Sequence, residues 1–176
     1  MNIIYLGKFF PQTLLRTINE DSKVKMGMSN HNFEMSILNG LCQQEGIDLK
    51  CITVPGVYSY PHNNKNLYTM HESYDYKNIH IDSAGFCNLV GIKEKCAAHS
   101  CARLVVEAAN SFVGDDLHLI INTPDIRLFD AVRMAEKETK KRFTKTVIIP
   151  DIPSMVTAMD KQNPIKAYLL AKRNFK

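Results

Sequence analysis

The segment Thr146–Pro153 constrains the fold most, because an apolar run ends there in an acid held between two prolines. Val147–Ile149 is β-branched throughout, which is typical of a strand buried on both faces of a parallel sheet. Pro150 and Pro153 cannot donate to a β-ladder, so the strand has to end where Asp151 begins. Ligands of open α/β sheets bind just past the carboxyl ends of the strands. Asp151 is therefore a candidate site residue, although a turn aspartate that caps the next segment is the simpler interpretation.

The first third of the chain predicts a strand–helix–strand unit. Asn2–Leu6 and Leu49–Val54 are the apolar runs expected of buried strands, and a polar, irregular stretch follows the first of them. Ser29 or Asn30 can cap the intervening helix. Its expected apolar stripe consists of Phe33, Ile37, Leu38 and Leu41. A crossover of this length between parallel strands is right-handed.

The later part of the chain continues the alternation. A long helix is expected over Lys93–Phe112, followed by a strand over Leu117–Ile121. Thr123 is placed as the N-cap of the next helix and Pro124 as its first residue. Asn163 begins a final helix by the same reasoning, and the chain ends inside that helix as though it were cut short.

An irregular insert separates the second strand from the long helix. Within it, Leu67–Met70 and Asn78–Ile81 are expected to pair as short strands at the sheet edge. The predicted fold is a Rossmann-like, doubly wound α/β domain with a mainly parallel sheet and helices on both faces. At 176 residues and 45% hydrophobic content, residues 1–176 are expected to form a single domain.

Composition excludes several classes of protein. The net charge of +4, from 22 basic and 18 acidic side chains, is too small for a dedicated nucleic-acid binder. Five cysteines are an odd number, which favours a reducing, cytoplasmic location over a disulfide framework. The N-terminus lacks the features of a secretory signal, and no run approaches the roughly 18 apolar residues of a membrane span. The basic stretch Lys137–Lys145 is either a solvated helix end or a peripheral contact with anionic lipid on the inner face of the cell membrane.

Two places in the sequence are candidates for ligand contact. Gly7 follows the first strand, where it either lets a phosphate or sugar approach the backbone or merely ends the strand. A single glycine does not make a dinucleotide fingerprint, so NAD or FAD is not expected as a cofactor, and no Walker A loop is present. The second group lies at a helix N-terminus, which favours anionic or polyhydroxyl ligands. Its members are Ser29, Asn30, His31, Asn32 and Glu34.

Metal and hydrolase chemistry are poorly supported. Cys96 and Cys101 would project about 140° apart on a helix, so they and His99 are interpreted as core packing rather than metal ligands. No nucleophile-elbow motif accompanies the histidines. We therefore expect no metal site and no catalytic triad.

Five segments together carry a family resemblance: Asn2–Gly7, Asn30–Leu38, Gly85–Lys93, Leu119–Pro124 and Val147–Pro153. With them the chain resembles the N-terminal, acceptor-side domain of retaining glycosyltransferases of the GT-B fold. That family includes sucrose synthase and many bacterial polysaccharide and lipopolysaccharide transferases. The resemblance spans nearly the whole chain, and each motif is loose by itself.

The resemblance implies a division of labour between two domains. This domain would hold a saccharide or lipid-linked acceptor, and a C-terminal domain absent from residues 1–176 would hold most of the nucleotide sugar, with no metal or cofactor required. By position, the cleft would be lined by Gly7, Lys8, residues 29–34, Asn122 and Thr123. Asp151 would lie in the catalytic loop, where Pro150 replaces the histidine that the family often has. Without the donor-binding half, the chain is expected to transfer no sugar by itself.

Two alternatives come from other classes of protein. One is a non-catalytic Rossmann-like module that binds a small anion at the helix start over residues 29–34. The other is a flavodoxin-like electron carrier, which would need a phosphate loop rich in serine, threonine and glycine after the first strand. Lys8–Pro11 is a poor candidate for such a loop.

Overall fold

The structure is a computed structural model that describes residues 1–10, 12–23, 29–70, 73–77, 79–114 and 116–149. For residues 12–15, 17, 29, 30 and 70 it describes the backbone alone. The elements in chain order are β1 (Asn2–Gly7), α1 (Gln12–Asp21), α2 (Ser29–Cys42), β2 (Asp48–Thr53), β3 (Thr69–Met70), β4 (Tyr74–Tyr76), β5 (Ile79–Ser83), β6 (Phe86–Cys87), α3 (Lys93–Ser111), β7 (Leu117–Asn122), α4 (Ile126–Thr139) and β8 (Thr144–Ile148).

The main sheet has six strands in the order β4-β5-β2-β1-β7-β8. All neighbouring strands are parallel except β4, which runs antiparallel to β5 at the edge. From β1 the chain winds outward to β2 and β5 on one side, and from β7 it winds to β8 on the other. This is a doubly wound Rossmann-like topology, as the sequence predicts.

Alternation along β1 divides the interior into two layers. Ile4 and Leu6 belong to a core that also contains the buried faces of α3 and α4. Tyr5 points to the opposite face, where it packs in a smaller core with Leu38 of α2. The helices therefore cover both faces of the sheet, because successive side chains of a buried strand need partners on each side.

Several local predictions are wrong. The stretch after β1 is not irregular, since it contains α1. The two insert strands do not pair with each other: β3 pairs with β6 in a separate two-stranded sheet, and β5 joins the main sheet beside β2. Phe33 lies outside the apolar stripe of α2 and is 41% exposed.

The strand that contains Val147 was predicted to be buried on both faces, and this is also wrong. Within the described residues β8 is an edge strand whose first three residues are exposed, and Ile149 beyond it is 38% exposed. A β-branched run predicts a strand well but does not distinguish an edge position from a central one.

Candidate functional site at the carboxyl ends of β1 and β7

The topological switch point lies between β1 and β7. These strands are parallel neighbours, with Leu6 opposite Ile121, and their onward connections lead to opposite sides of the sheet. The chain therefore diverges beyond their carboxyl ends, which is where open α/β sheets form ligand crevices. Gly7 ends one strand and Asn122 ends the other, with Lys8 and Thr123 directly after them, so the structure places these predicted residues together at the switch point, here called the crevice.

Gly7 is required by packing inside the protein. A Cβ atom on this residue would overlap the carboxylate of Glu34 and lie 2.7 Å from the nearest carbon of the Phe9 ring. Glu34 is fully buried, and its Oε2 accepts a 2.8 Å hydrogen bond from the backbone N–H of Lys8. The carboxylate predicted to face a ligand thus holds the β1–α1 connection against α2.

A chain of charged side chains closes one side of the crevice. Lys8 Nζ lies 2.5 Å from Oδ2 of Asp125. Arg127 binds the same carboxylate in a bidentate manner, at 3.0 Å from Nε to Oδ1 and 2.6 Å from Nη2 to Oδ2. Arg127 Nε also lies 3.1 Å from the Glu94 carboxylate in the first turn of α3. The network joins the loop after β1 to the starts of α3 and α4.

The protonation states of this network are fixed by its geometry. Burial alone would raise the pKa of Asp125, but hydrogen bonds from Arg127 and the charge of Lys8 outweigh it and hold the pKa well below its usual range. Burial opposes the charge on Arg127 too, yet its bonds to Asp125 raise its pKa. Asp125 is therefore ionised near neutral pH, where it serves as an anchor rather than a proton acceptor.

Asn122 and Thr123 differ from the charged network, because their side-chain polar atoms have no hydrogen-bond partner in the part of the chain that the structure describes. Asn122 is fully buried, and neither its Nδ2 nor its Oδ1 has a hydrogen-bond partner among the described residues. The same holds for the buried Oγ1 of Thr123. Native proteins pair nearly all such atoms, so Asn122 and Thr123 are candidates for hydrogen bonds to a ligand.

Backbone strain coincides with these orphaned groups. Thr123 has φ of 78°, which is unfavourable for a β-branched residue. Its N–H donates a 2.9 Å hydrogen bond to the carbonyl of Ile148, which holds the end of β7 against the end of β8. Left-handed residues of this kind cluster at ligand-binding and active sites.

The remaining predicted residues occupy the adjoining start of α2. His31 stacks on Phe10 with ring centroids 5.8 Å apart, and its buried Nδ1 has no partner within the described residues. Burial lowers the pKa of His31, which favours the neutral ring. Asn32 is exposed, and only the backbone of Ser29 and Asn30 is described. Asp151 lies outside the described residues.

Sequence reasoning missed Asp125, Arg127 and Glu94. It placed the N-cap of α4 at Thr123, but the cap is Asp125, whose Oδ1 accepts a 2.9 Å hydrogen bond from the N–H of Arg127. Pro124 precedes the helix and is not its first residue. The signal was present, since aspartate is as good a cap as threonine and stands next to the apolar periodicity.

The predicted core role of the cysteine and histidine group is confirmed in part. Cys101 is buried, and burial raises its pKa to about 12, but Cys96 and His99 are exposed, so the prediction is wrong for those two residues. All five cysteines are free, and the described ranges contain no cluster of three or more histidine, cysteine or acidic residues suited to a metal ion. Among the helices described, none is long and apolar enough to cross a membrane.

Comparisons with known proteins give one distant structural similarity. No protein-family model matches the chain, and no curated protein matches it. Among solved structures the chain is similar to the apo structure of OtsA, with a TM-score of 0.39 and 12% identity. The alignment covers 91% of this chain and 38% of that one, so the chain spans well under half the length of OtsA. At this TM-score the similarity assigns no family, and the α/β architecture follows from the strand order itself.

Proposed function

We propose that this chain is the acceptor-side domain of a retaining glycosyltransferase and that the crevice between β1 and β7 binds a saccharide. One observation carries the proposal: the fully buried Asn122 at the switch point has neither its amide donors nor its acceptor paired among the described residues. The proposed reaction class rests on the sequence resemblance, and the proposed binding site rests on the residues of the crevice.

A primary amide suits a sugar because it offers donors and an acceptor side by side. The Nδ2 group of Asn122 can donate to one hydroxyl while Oδ1 accepts from a neighbouring hydroxyl. The hydroxyl of Thr123 adds a group that can serve either role. Sites built from such groups discriminate strongly, since a ligand that lacks the matching hydroxyl leaves buried polar atoms unpaired.

In this proposal the domain positions the acceptor rather than performing acid–base chemistry. Asp125 is unsuited to proton transfer, because Lys8 and Arg127 keep it ionised. Holding the acceptor hydroxyl in line with a donor sugar can remove several kcal/mol from the barrier. A second domain in cis would bind the nucleotide sugar and stabilise the departing diphosphate. Asp151, three residues beyond the end of β8 in the sequence, is proposed to act in catalysis.

Saccharide binding by residues 1–176 tests the site directly. In saturation-transfer NMR with a panel of monosaccharides and nucleotide sugars, at least one monosaccharide is expected to bind the wild-type chain and to lose its signal in Asn122→Ala. Asn110→Ala, an exposed asparagine on α3, is the matched control and should bind as wild type does. Absence of saccharide binding at tens of millimolar would overturn the proposal. Turnover of a nucleotide sugar by this chain alone would contradict the division of labour.

A small-anion module is the second candidate, and the cationic side of the crevice favours it. Lys8 is 25% exposed while its partner Asp125 is 8% exposed, so the lysine is the more accessible member of that pair. Such a module would bind inorganic phosphate with no saccharide bound, and Lys8→Gln would abolish that binding. The saccharide proposal expects Lys8→Gln to spare monosaccharide binding.

A further inference from the structure

Five cations gather at the opposite end of the molecule, where α4 ends and β8 begins. They line an open groove of about 550 Å³, here called the basic groove. Its charged residues are Glu136, Lys137, Lys140, Lys141, Arg142 and Lys145. The groove lies at the amino ends of the parallel strands, whereas the crevice lies at their carboxyl ends, so the two sites are separate.

The groove carries a concentrated positive charge. Its five cations and one carboxylate sum to +4. Cations gathered in one concavity create a local positive potential that attracts anions.

The partial negative charges at two helix C-termini offset only a small part of the positive charge of the groove. α4 ends at Thr139 beside the groove, and the Nζ of Lys141 lies 3.4 Å from the carbonyl of Ala109 in the last turns of α3. Each helix C-terminus carries roughly half a negative charge, so two of them offset about one of the four positive charges. About three positive charges are left.

Ion pairs within the groove do not neutralise the remaining positive charge. Glu136 is engaged twice, by Lys145 at 2.8 Å and by the N–H of Phe143 at 3.2 Å. Lys137, Lys140 and Arg142 are exposed and have no acidic partner among the described residues. Three exposed cations that line one concavity are therefore available to a single anion.

We propose that the basic groove is a binding site for a multiply charged, phosphate-bearing anion. The anion would bridge Lys137, Lys140 and Arg142, and the planar guanidinium of Arg142 would contact one phosphate through two N–H groups. The phosphates could belong to a free polyphosphorylated molecule or to lipid headgroups, which offer the same chemistry.

The test uses inorganic tripolyphosphate as the probe in isothermal titration calorimetry with the full chain. The groove variant is Lys137→Gln with Arg142→Gln, and both positions are exposed, so the fold should tolerate the change. The control is Lys50→Gln with Lys95→Gln, which removes the same charge outside the groove. The groove variant is expected to bind tripolyphosphate at least about tenfold more weakly than wild type, and the control is expected to bind it within about twofold of wild type.

A second arm distinguishes the two sources of phosphate. The same proteins are sedimented with phosphatidylglycerol vesicles and with neutral phosphatidylcholine vesicles. Binding of tripolyphosphate without vesicle binding assigns a free anion, and groove-dependent binding to the anionic vesicles assigns lipid headgroups. The proposal is overturned if neither probe binds at low salt, or if the control loses as much affinity as the groove variant.

Discussion

The replacement Asn122→Leu is the sharpest test of the orphaned amide, because a second buried asparagine serves as its control. Asn88 is also fully buried, but its side chain is saturated. It accepts a 2.8 Å hydrogen bond from the N–H of Tyr68 and donates to the carbonyls of Asn66 and Tyr58 at 3.1 and 3.2 Å. The two positions share residue type and burial and differ in hydrogen bonding.

The expected changes have opposite signs. A buried polar group without a partner costs about 1–3 kcal/mol, so Asn122→Leu should raise the free energy of unfolding by roughly that amount. Asn88→Leu removes three hydrogen bonds of about 1 kcal/mol each and strands their backbone partners, so it should lower that free energy by about 3 kcal/mol or more. Asn122→Leu should also lose saccharide binding, which would place the destabilising amide in the ligand site.

Urea unfolding followed by far-UV circular dichroism measures both changes. The midpoints should shift in opposite directions while the m-value stays constant, which shows that the denatured state is unaffected. If Asn122→Leu lowers stability as much as Asn88→Leu does, the amide is hydrogen-bonded in the free protein and the argument for a ligand there fails.

Three further predictions concern packing and charge. Gly7→Ala should destabilise the protein by about 1–3 kcal/mol, because the added methyl group meets a buried carboxylate and an aromatic ring. The control Gly40→Ala has no atom near its Cβ in α2 and should be neutral or stabilising by up to about 1 kcal/mol in the same urea assay. Asp125→Asn should cost roughly 3–5 kcal/mol, since it leaves the buried Arg127 and the half-buried Lys8 without the carboxylate that they share. The folded pKa of Asp125 is depressed, so the stability that its charge contributes is present above the unfolded pKa near 3.9 and is lost as pH falls toward the folded pKa. The free energy of unfolding should therefore depend less on acidic pH in the variant than in the wild type. An unchanged pH profile would refute the assignment. His80 Nδ1 lies 2.7 Å from Oδ1 of Asp75, and this hydrogen bond raises the pKa of His80. The small contribution of the pair to folding stability is complete below the unfolded pKa near 6.5 and disappears as pH rises through the folded pKa. NMR titration should find a lower His80 pKa in Asp75→Asn, and equal values would contradict the pairing.

The sequence predicts the layered α/β architecture because that architecture follows from hydrophobic periodicity. The strands β1, β2 and β7 lie within a residue of their predicted bounds, and α3 covers nearly the whole predicted helix. These elements are central, so their apolar patterns reflect burial directly. The edge elements were predicted less well, because β3, β4 and β6 are two or three residues long and have no usable period.

The placement of Gly7 and Asn122 at neighbouring strand ends was predictable, but the hydrogen bonding around them was not. Gly7 and Asn122 follow from the rule that ligands bind beyond parallel strands at a switch point. Lys8, Glu34 and Asp125 meet only in three dimensions, across separations of 26 residues and more along the chain. No local sequence pattern predicts that the Glu34 carboxylate accepts a hydrogen bond from the Lys8 N–H. None predicts that the Asn122 side chain has no hydrogen-bond partner among the described residues.

α4 has one end in each of the two sites. Asp125 and Arg127 stand at its first turn beside the crevice, and Lys137 stands in its last turn beside the basic groove. Its 14 residues measure about 20 Å, and a helix resists compression along its axis. An axial displacement at one end of this helix would be transmitted to the other, so a shift of α4 at the basic groove would change the distance between Asp125 and Lys8.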